Sequence, residues 1–162
     1  MQEEDKDRYF HSKEIREIYP KIWPLQQATV YAALAIMVLF AALILHTFVG
    51  VVLFPEMQSV FDKYVFALLL FSGVWTAAAT AVLHVTLFYR MNREERRKNG
   101  RYVLPAYAYY EYSDSRRGYI THTVFNIVLV SFALLMAAGL SAALAGDLFF
   151  NGNAAVETAT GE

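Results

Sequence analysis

The chain has 162 residues, 57% of them apolar and only 18% charged, and its net charge is −1. Soluble domains are about 45–50% apolar and about 25% charged, so this composition fits neither an average soluble domain nor a disordered chain. With no cysteine and four prolines, the chain is also no disulfide scaffold, collagen or iron–sulfur protein.

The chain begins with a charged segment, residues 1–22, that precedes the first long apolar run. It contains one short predicted helical stretch that begins at Ser12, the expected N-cap. Ile15, Ile18 and Tyr19 share one face of that stretch, and such a face suits a membrane surface or a partner protein. We therefore predict a charged N-terminal segment that either uses this amphipathic face or is simply a solvated juxtamembrane segment.

Three long runs of the chain contain no Asp, Glu, Lys or Arg, and they are 34, 26 and 29 residues long. Because about 20 helical residues cross the roughly 30 Å hydrocarbon core of a bilayer, each run is long enough to span it. A charge at mid-membrane costs about 2.5–3.5 kcal/mol, which accounts for the missing charges. We therefore predict an all-α integral membrane protein with three transmembrane helices in a domain over 23–148. The runs are 22–55, 64–89 and 118–146, and the predicted helices are 26–54, 63–90 and 119–146.

The basic residues predict the orientation of the chain in the membrane. Of the 14 Lys and Arg, all but Lys63 lie before the first helix or between Arg90 and Arg117. Positively charged segments stay on the cytoplasmic side. We therefore predict a multi-pass protein of the inner (cytoplasmic) membrane, with its N-terminus and the loop 91–118 in the cytoplasm. The C-terminus is predicted to lie outside, as a disordered tail over 149–162.

The second predicted helix carries polar and small residues at four-residue spacing. Ser72, Thr76, Thr80 and His84 form one stripe, and a row of small residues that begins at Gly73 lies beside it. Small residues let helix backbones approach closely, so these rows predict helix–helix packing. With similar rows on the other helices, they exceed what one three-helix bundle needs, which predicts other membrane subunits as partners.

The loop 91–118 opens with a charged run, turns at Asn99-Gly100 and is then rich in tyrosine. Tyrosine is enriched at protein interfaces and in headgroup belts. We predict that this loop docks on a cytoplasmic partner or lies on the anionic headgroups of the lipid bilayer. Nucleic acid is not expected as a partner, because acidic residues dilute the positive charge and no binding motif is present. The docking candidates are Tyr107, Tyr109, Tyr110 and Tyr112.

Histidines are the candidate cofactor ligands, because the predicted spans hold no acid and no cysteine. His84 lies about 9 Å and His122 about 4–5 Å from the predicted cytoplasmic ends of their helices, at about 1.5 Å per residue. The two could therefore share a level near the inner leaflet, and both are candidate metal ligands of a haem b or a chlorophyll-type tetrapyrrole. His46, about 12 Å from the outer end of its helix, is a third candidate for cofactor binding. Asn126 and Arg90 are candidates for hydrogen bonds to the cofactor or to its ligands.

The run Leu-His-Val at 83–85, followed by Arg90, is similar to the second helix of the small membrane-anchor subunits of succinate dehydrogenase and fumarate reductase. Those subunits have three helices, a cytoplasmic N-terminus and a haem-ligating histidine. The resemblance therefore implies a cytochrome b subunit in which His84 holds the haem. The Ser and His-Arg pattern of that family's quinone site has no counterpart at residues 26–29. The resemblance covers the topology and a short stretch of sequence.

Three functions stay open at this point. The first is a non-catalytic membrane subunit of a respiratory or photosynthetic electron-transfer complex, with a tetrapyrrole on a histidine. The second is a structural or assembly subunit without a cofactor, in which the histidines only make contacts between helices. The third is a small oligomeric transporter, against which the lack of membrane acids and of internal repeats counts. No catalytic motif is present, so an enzymatic activity of the chain itself is not expected.

Overall fold

The computed structural model describes residues 9–49, 60–105 and 110–159. Short elements lie at the N-terminus and between the second and third long helices. In chain order the elements are β1 (Tyr9–Phe10), a 3-10 turn (Ser12–Glu14), α1 (Ile15–Ile18), α2 (Trp23–Thr47), α3 (Val60–Asn99), β2 (Tyr102–Pro105), β3 (Tyr110–Ser113) and α4 (Arg116–Ala159).

The three long helices confirm the predicted number of membrane-length segments. Each of α2, α3 and α4 contains a window that is long enough and apolar enough to cross a membrane. Few side chains along these windows are buried within the chain. Helices satisfy their own backbone hydrogen bonds, so they can expose apolar side chains to lipid without leaving polar groups unpaired.

The end of α3 differs from the end of the predicted span. This helix continues beyond the predicted end at residue 90 and stops at Asn99. The charged residues after 90 favour helix, and Lys98 Nζ lies 2.8 Å from Glu94 Oε1 one turn away. Gly100, with φ at +72°, then ends the helix, which confirms the predicted turn. The end of a charge-free run is therefore not the end of the helix.

The other two helices also differ from the predicted bounds. α2 begins at Trp23 and ends at Thr47, and the predicted residues 50–54 lie outside the described ones. α4 begins at Arg116 and is helical as far as Ala159, through most of the segment predicted to be a disordered tail. That segment contains no proline and includes alanines, which favour helix, so nothing in its sequence stops α4 at residue 146.

A small antiparallel sheet connects the N-terminus to the loop between α3 and α4, and it is absent from the predicted all-α fold. Its strand order is β1-β3-β2, with Phe10 opposite Tyr110 and Val103 opposite Tyr112. The strands have two to four residues, which is too short for a visible alternation of apolar and polar positions.

The chain divides into two compact units, and the long helices contribute to both of them. The first unit comprises Met1–Ala33 and Ala79–Ser131, and the second comprises Leu34–Ala78 and Phe132–Glu162. The first unit has a core of large apolar residues from α1, α3 and the sheet. They are Phe10, Ile15, Tyr19, Ile22, Leu87, Met91 and Val103.

The apolar face of the N-terminal segment packs within this core. Ile15 and Tyr19 are buried and Ile18 packs against them, so the face that suits a membrane or a partner is covered by the chain itself. The N-cap of the 3-10 turn is His11, one residue before the predicted Ser12, and its N–H donates to Glu14 Oε2 at 3.0 Å. A free juxtamembrane helix is therefore not what the structure shows.

The second unit packs through small residues. Ala78 and Ala137 are its buried apolar residues among those described, and Trp75 Nε1 donates a hydrogen bond to Ser141 Oγ at 3.0 Å. An apolar groove of about 260 Å³ lies between its parts of α2 and α3. Gly73 lines this groove, and a Cβ added there would meet no atom of the chain within 4 Å.

Candidate functional site

Asn92 fixes strand β2 to helix α3 in the first unit. Its Nδ2 donates to the carbonyl of Val103 at 2.8 Å, and its Oδ1 accepts from the N–H of Val103 at 2.9 Å. The same Nδ2 donates to the carbonyl of Phe88 at 3.0 Å. Because Asn92 and Val103 are both almost fully buried, this amide replaces the water that the backbone of β2 would otherwise need.

Glu95 is a buried carboxylate one turn farther along α3, with 2% of its surface exposed. Tyr19 donates its hydroxyl proton to Glu95 Oε2 at 2.8 Å, and Asn99 Nδ2 donates to Oε1 at 2.7 Å. The guanidinium of Arg101 lies 3.4 Å from Oε1. Burial, and then the hydrogen bond to Glu95, raise the pKa of Tyr19 far above its ordinary value, so Tyr19 stays a proton donor.

The tyrosines predicted to dock a partner have different positions. Tyr110 and Tyr112 contact Phe10, with ring centroids 5.2 and 5.0 Å from its own, and burial raises the pKa of both hydroxyls. Tyr107 and Tyr109 lie outside the described residues. The structure therefore turns part of the tyrosine-rich loop toward the N-terminal segment of the same chain.

His122, near the start of α4, faces an aromatic residue of α3. Its ring lies 6.4 Å from that of Phe88, and Tyr119 stacks on the same Phe88 at 5.9 Å. Phe88 is one turn from His84 on α3, and it is almost fully buried. The structure therefore brings His122 to Phe88, whereas the prediction placed it with His84.

The level of His84 holds two buried amides instead. His122 on α4 lies beside Phe88 on α3. Asn126 is one turn after His122 on α4, and His84 is one turn before Phe88 on α3. Because the two helices run in opposite directions, Asn126 and His84 lie at about the same level. Gln26 on α2 lies one turn beyond Ile22, which packs with Leu87 and Met91, and so reaches this level as well. We call Gln26, His84 and Asn126 the polar layer.

The two amides of the polar layer are incompletely paired. Gln26 and Asn126 are 9% and 5% exposed, and His84 is half-buried. Among the described residues, neither Gln26 Oε1 nor Asn126 Nδ2 has a hydrogen-bond partner. A buried amide without its partner costs about 1–3 kcal/mol, so one free acceptor and one free donor in a membrane-length segment call for a polar group beside them.

The remaining predicted residues lie apart from this layer. His46 is half-buried on α2 in the second unit, and Arg90 is exposed on α3. Within the described ranges, no group of three or more His, Cys, Asp or Glu is arranged to hold a metal ion.

Three of the residues that organise these sites were not singled out from the sequence. Gln26 could have been identified from the sequence, because it is a polar residue in a charge-free run and a polar residue in a predicted span needs a hydrogen-bond partner. Asn92 and Glu95 lie in a run of charged and polar residues, where a buried side chain looks like its solvated neighbours. Their roles follow only from the docking of β2 and α1.

A comparison of the chain with protein-family models, with curated proteins and with solved structures finds no match.

Proposed function

We propose that this chain is a non-catalytic, multi-pass subunit of a larger respiratory or photosynthetic electron-transfer complex. In this proposal it lies in the inner (cytoplasmic) membrane and packs against other membrane subunits. His84 holds a tetrapyrrole, either a haem b or a chlorophyll-type pigment, through a ring nitrogen. The observation that carries the proposal is the polar layer, with a half-buried histidine at about the level of two incompletely paired amides.

The residues of the polar layer fit a tetrapyrrole with one protein ligand. The imidazole of His84 would hold the group through a ring nitrogen, the Nδ2 of Asn126 would donate to an acidic substituent or a ring oxygen, and Gln26 Oε1 would accept a hydrogen bond. The chemistry that such a group supplies is one-electron transfer or light absorption. His122, whose ring lies 6.4 Å from that of Phe88, remains a second candidate ligand.

An absorption spectrum of the complex purified from its native membranes tests the proposal. We expect haem b bands in a reduced-minus-oxidised difference spectrum, or chlorophyll-type bands, and we expect His84→Ala to remove them. His46→Ala is the matched control, because it removes another half-buried histidine, from the second unit, and should leave the bands in place. A colourless complex whose assembly is unchanged in His84→Ala would rule the cofactor out.

A structural subunit without a cofactor is the second candidate, and the groove at Gly73 favours it. The groove is lined by apolar side chains of α2 and α3, and no described residue fills the space over Gly73. Small residues in membrane helices admit a neighbouring helix closely, so this space suits the side chains of another subunit. We expect Gly73→Leu to reduce the size of the complex solubilised from membranes if this packing is required.

The proposal includes an orientation, with the N-terminus and the loop 91–118 in the cytoplasm and the C-terminus outside. The distribution of Lys and Arg supports it. Since the chain has no cysteine, single cysteines report on it directly. In intact cells we expect Ser113→Cys to be protected from a membrane-impermeant thiol reagent and Asn153→Cys to react. The reverse pattern would overturn the orientation.

A further inference from the structure

A second cavity, of about 270 Å³, lies in the first unit at the Arg-rich end of α3. Two tyrosines, one asparagine and three arginines line it. The tyrosines stand at the borders of the charge-free runs, because Tyr89 is the last residue of one run and Tyr119 is the second residue of the next. The cavity therefore lies where a membrane-length segment changes to a charged one. Its lining residues are Tyr89, Asn92, Arg93, Arg96, Arg97 and Tyr119.

The arginines share one face of α3. From Tyr89, the positions of Arg93, Arg96 and Arg97 follow at spacings of four, seven and eight residues, which one helix face holds together. All three side chains are exposed. Three guanidinium groups around one cavity provide a fork of N–H donors that matches the oxygens of a phosphate.

The neighbouring carboxylates do not compete for this face. Glu94 forms its ion pair with Lys98, and Glu95 accepts the hydrogen bonds of Tyr19 and Asn99 in the buried network. The two acids of the charged run, which also contains four basic residues, are thus engaged with other partners. The positive charge that the run carries is concentrated on the cavity.

An aromatic stack holds the wall of the cavity in place. Tyr119 stacks on Phe88 on one side and on Tyr102 on the other, at centroid distances of 5.9 and 4.8 Å. The guanidinium of Arg96 lies 5.4 Å from the ring centroid of Tyr102. Phe88 is buried, so the stack links the core of the first unit to the arginines and limits their movement.

We infer that this cavity binds the phosphate-bearing headgroup of an anionic phospholipid. Tyrosine prefers the membrane–water interface, and arginine just beyond it binds lipid phosphate. Tyr89, 57% exposed beside the cavity, is placed to contact the glycerol region or the upper acyl chain of such a lipid. A free phosphate has the same charge chemistry but makes no use of this apolar border, so the lipid is the source to which we commit.

Native mass spectrometry of the purified full chain, incubated with phosphatidylglycerol or phosphatidylcholine, tests the inference. We expect the chain to retain phosphatidylglycerol in preference to phosphatidylcholine. We expect Arg93→Gln with Arg97→Gln to weaken that retention about 30-fold, at about 1 kcal/mol for each arginine. Arg96 is left unchanged, since its contact with Tyr102 also supports the fold. Thermal unfolding without added lipid checks that the variant folds.

The matched control is Arg116→Gln with Arg117→Gln, which removes the same charge from exposed arginines of α4 that do not line the cavity. It should retain phosphatidylglycerol like the wild type. An equal loss in both double variants would mean a diffuse surface charge and would overturn the site. Displacement of phosphatidylglycerol by excess inorganic phosphate would identify a soluble anion as the ligand and would overturn the lipid assignment.

Discussion

The two compact units of this chain bury different kinds of residue. The first unit buries large side chains such as Tyr19 and Met91, and it also buries the carboxylate of Glu95, which accepts the hydroxyl proton of Tyr19. In the second unit, the buried apolar residues among those described are Ala78 and Ala137, whereas Leu135 is 72% exposed. Large apolar side chains therefore form a buried core in the first unit, whereas among the described residues of the second unit none is buried.

The difference follows from the surroundings that each unit is suited to. Where water surrounds a segment, burying large apolar side chains is the dominant stabilising contribution. Where lipid surrounds it, apolar side chains gain little from burial, and helices associate through small residues and close backbone packing. The described part of the second unit packs through small residues, as membrane helices do. The first unit buries large apolar side chains, as water-surrounded segments do, in the sheet, α1 and the charged end of α3.

The largest effect on this contrast is expected from Asn92→Ala. Removing the amide leaves the buried N–H and C=O of Val103 without partners, so we expect a loss of about 3 kcal/mol in the free energy of unfolding. Equilibrium unfolding in mixed detergent micelles measures it. Trypsin should also cleave faster after Arg101, because β2 would separate from α3.

Asn99→Ala is the control for Asn92→Ala. Asn99 is an exposed amide on the same helix, and it donates one hydrogen bond to Glu95, which keeps other partners. We expect a loss of about 1 kcal/mol or less. If both variants lost the same free energy of unfolding, the hydrogen bonds between Asn92 and the backbone of Val103 would not be what stabilises the first unit.

Alkaline pH should destabilise the first unit through Tyr19. Its pKa is raised in the folded chain by burial and by Glu95, whereas the unfolded residue titrates near its ordinary value of about 10. Above about pH 10 the unfolded state releases a proton that the folded state keeps, so stability is full below that pH and falls as the pH rises. The slope for one tyrosine is about 1.4 kcal/mol per pH unit.

The comparison of the wild type with Tyr19→Phe isolates this contribution. The variant should lose stability at neutral pH, because Glu95 loses a donor, and its unfolding free energy should fall less steeply above pH 10. Tyr31→Phe, at a 66% exposed position of α2, should keep the slope of the wild type. Parallel slopes in all three chains would contradict a folded-state pKa shift at Tyr19.

The number and approximate position of the long helices could be predicted from the sequence, because bilayer crossing imposes a minimum length and excludes charge. The extension of α3 could not, since Arg, Glu and Lys favour helix as strongly in water as apolar residues do in lipid. The sheet could not be predicted from the sequence either. Strands β1 and β3 are separated in the chain by two long helices, and the two residues Tyr9–Phe10 carry no local pattern that predicts their pairing.

The candidate site was predicted only in its parts. His84 and Asn126 were identified because polar side chains in a predicted span need partners. That these two residues lie at about the same level was not predicted. The depths of residues on α4 were counted from the predicted start of that helix at residue 119, whereas α4 begins at Arg116. The basic cavity could not be predicted from the sequence either, for a further reason. Which face of α3 the acids of the charged run occupy depends on where α1 and β2 dock.

A hydrogen bond in the second unit should be worth less than one in the first. Trp75 Nε1 and Ser141 Oγ are joined at 3.0 Å, and a double-mutant cycle with Trp75→Phe and Ser141→Ala measures their coupling. We expect about 0.6 kcal/mol, the usual value for such pairs between membrane helices. A coupling above about 2 kcal/mol would contradict the view that small-residue packing dominates this unit.

The smallest effect on the isolated chain is expected from Gly73→Ala. An added Cβ meets no atom within 4 Å at Gly73, and the same is true at Gly139, so neither Gly→Ala variant should lose stability. The two should differ in the assembled complex, because Gly73 lines the groove between α2 and α3 and Gly139 does not. If Gly73→Ala weakens the complex while Gly139→Ala does not, the exposed small residues of this unit pack against another subunit. Equal behaviour of both variants in the complex would leave the groove facing lipid.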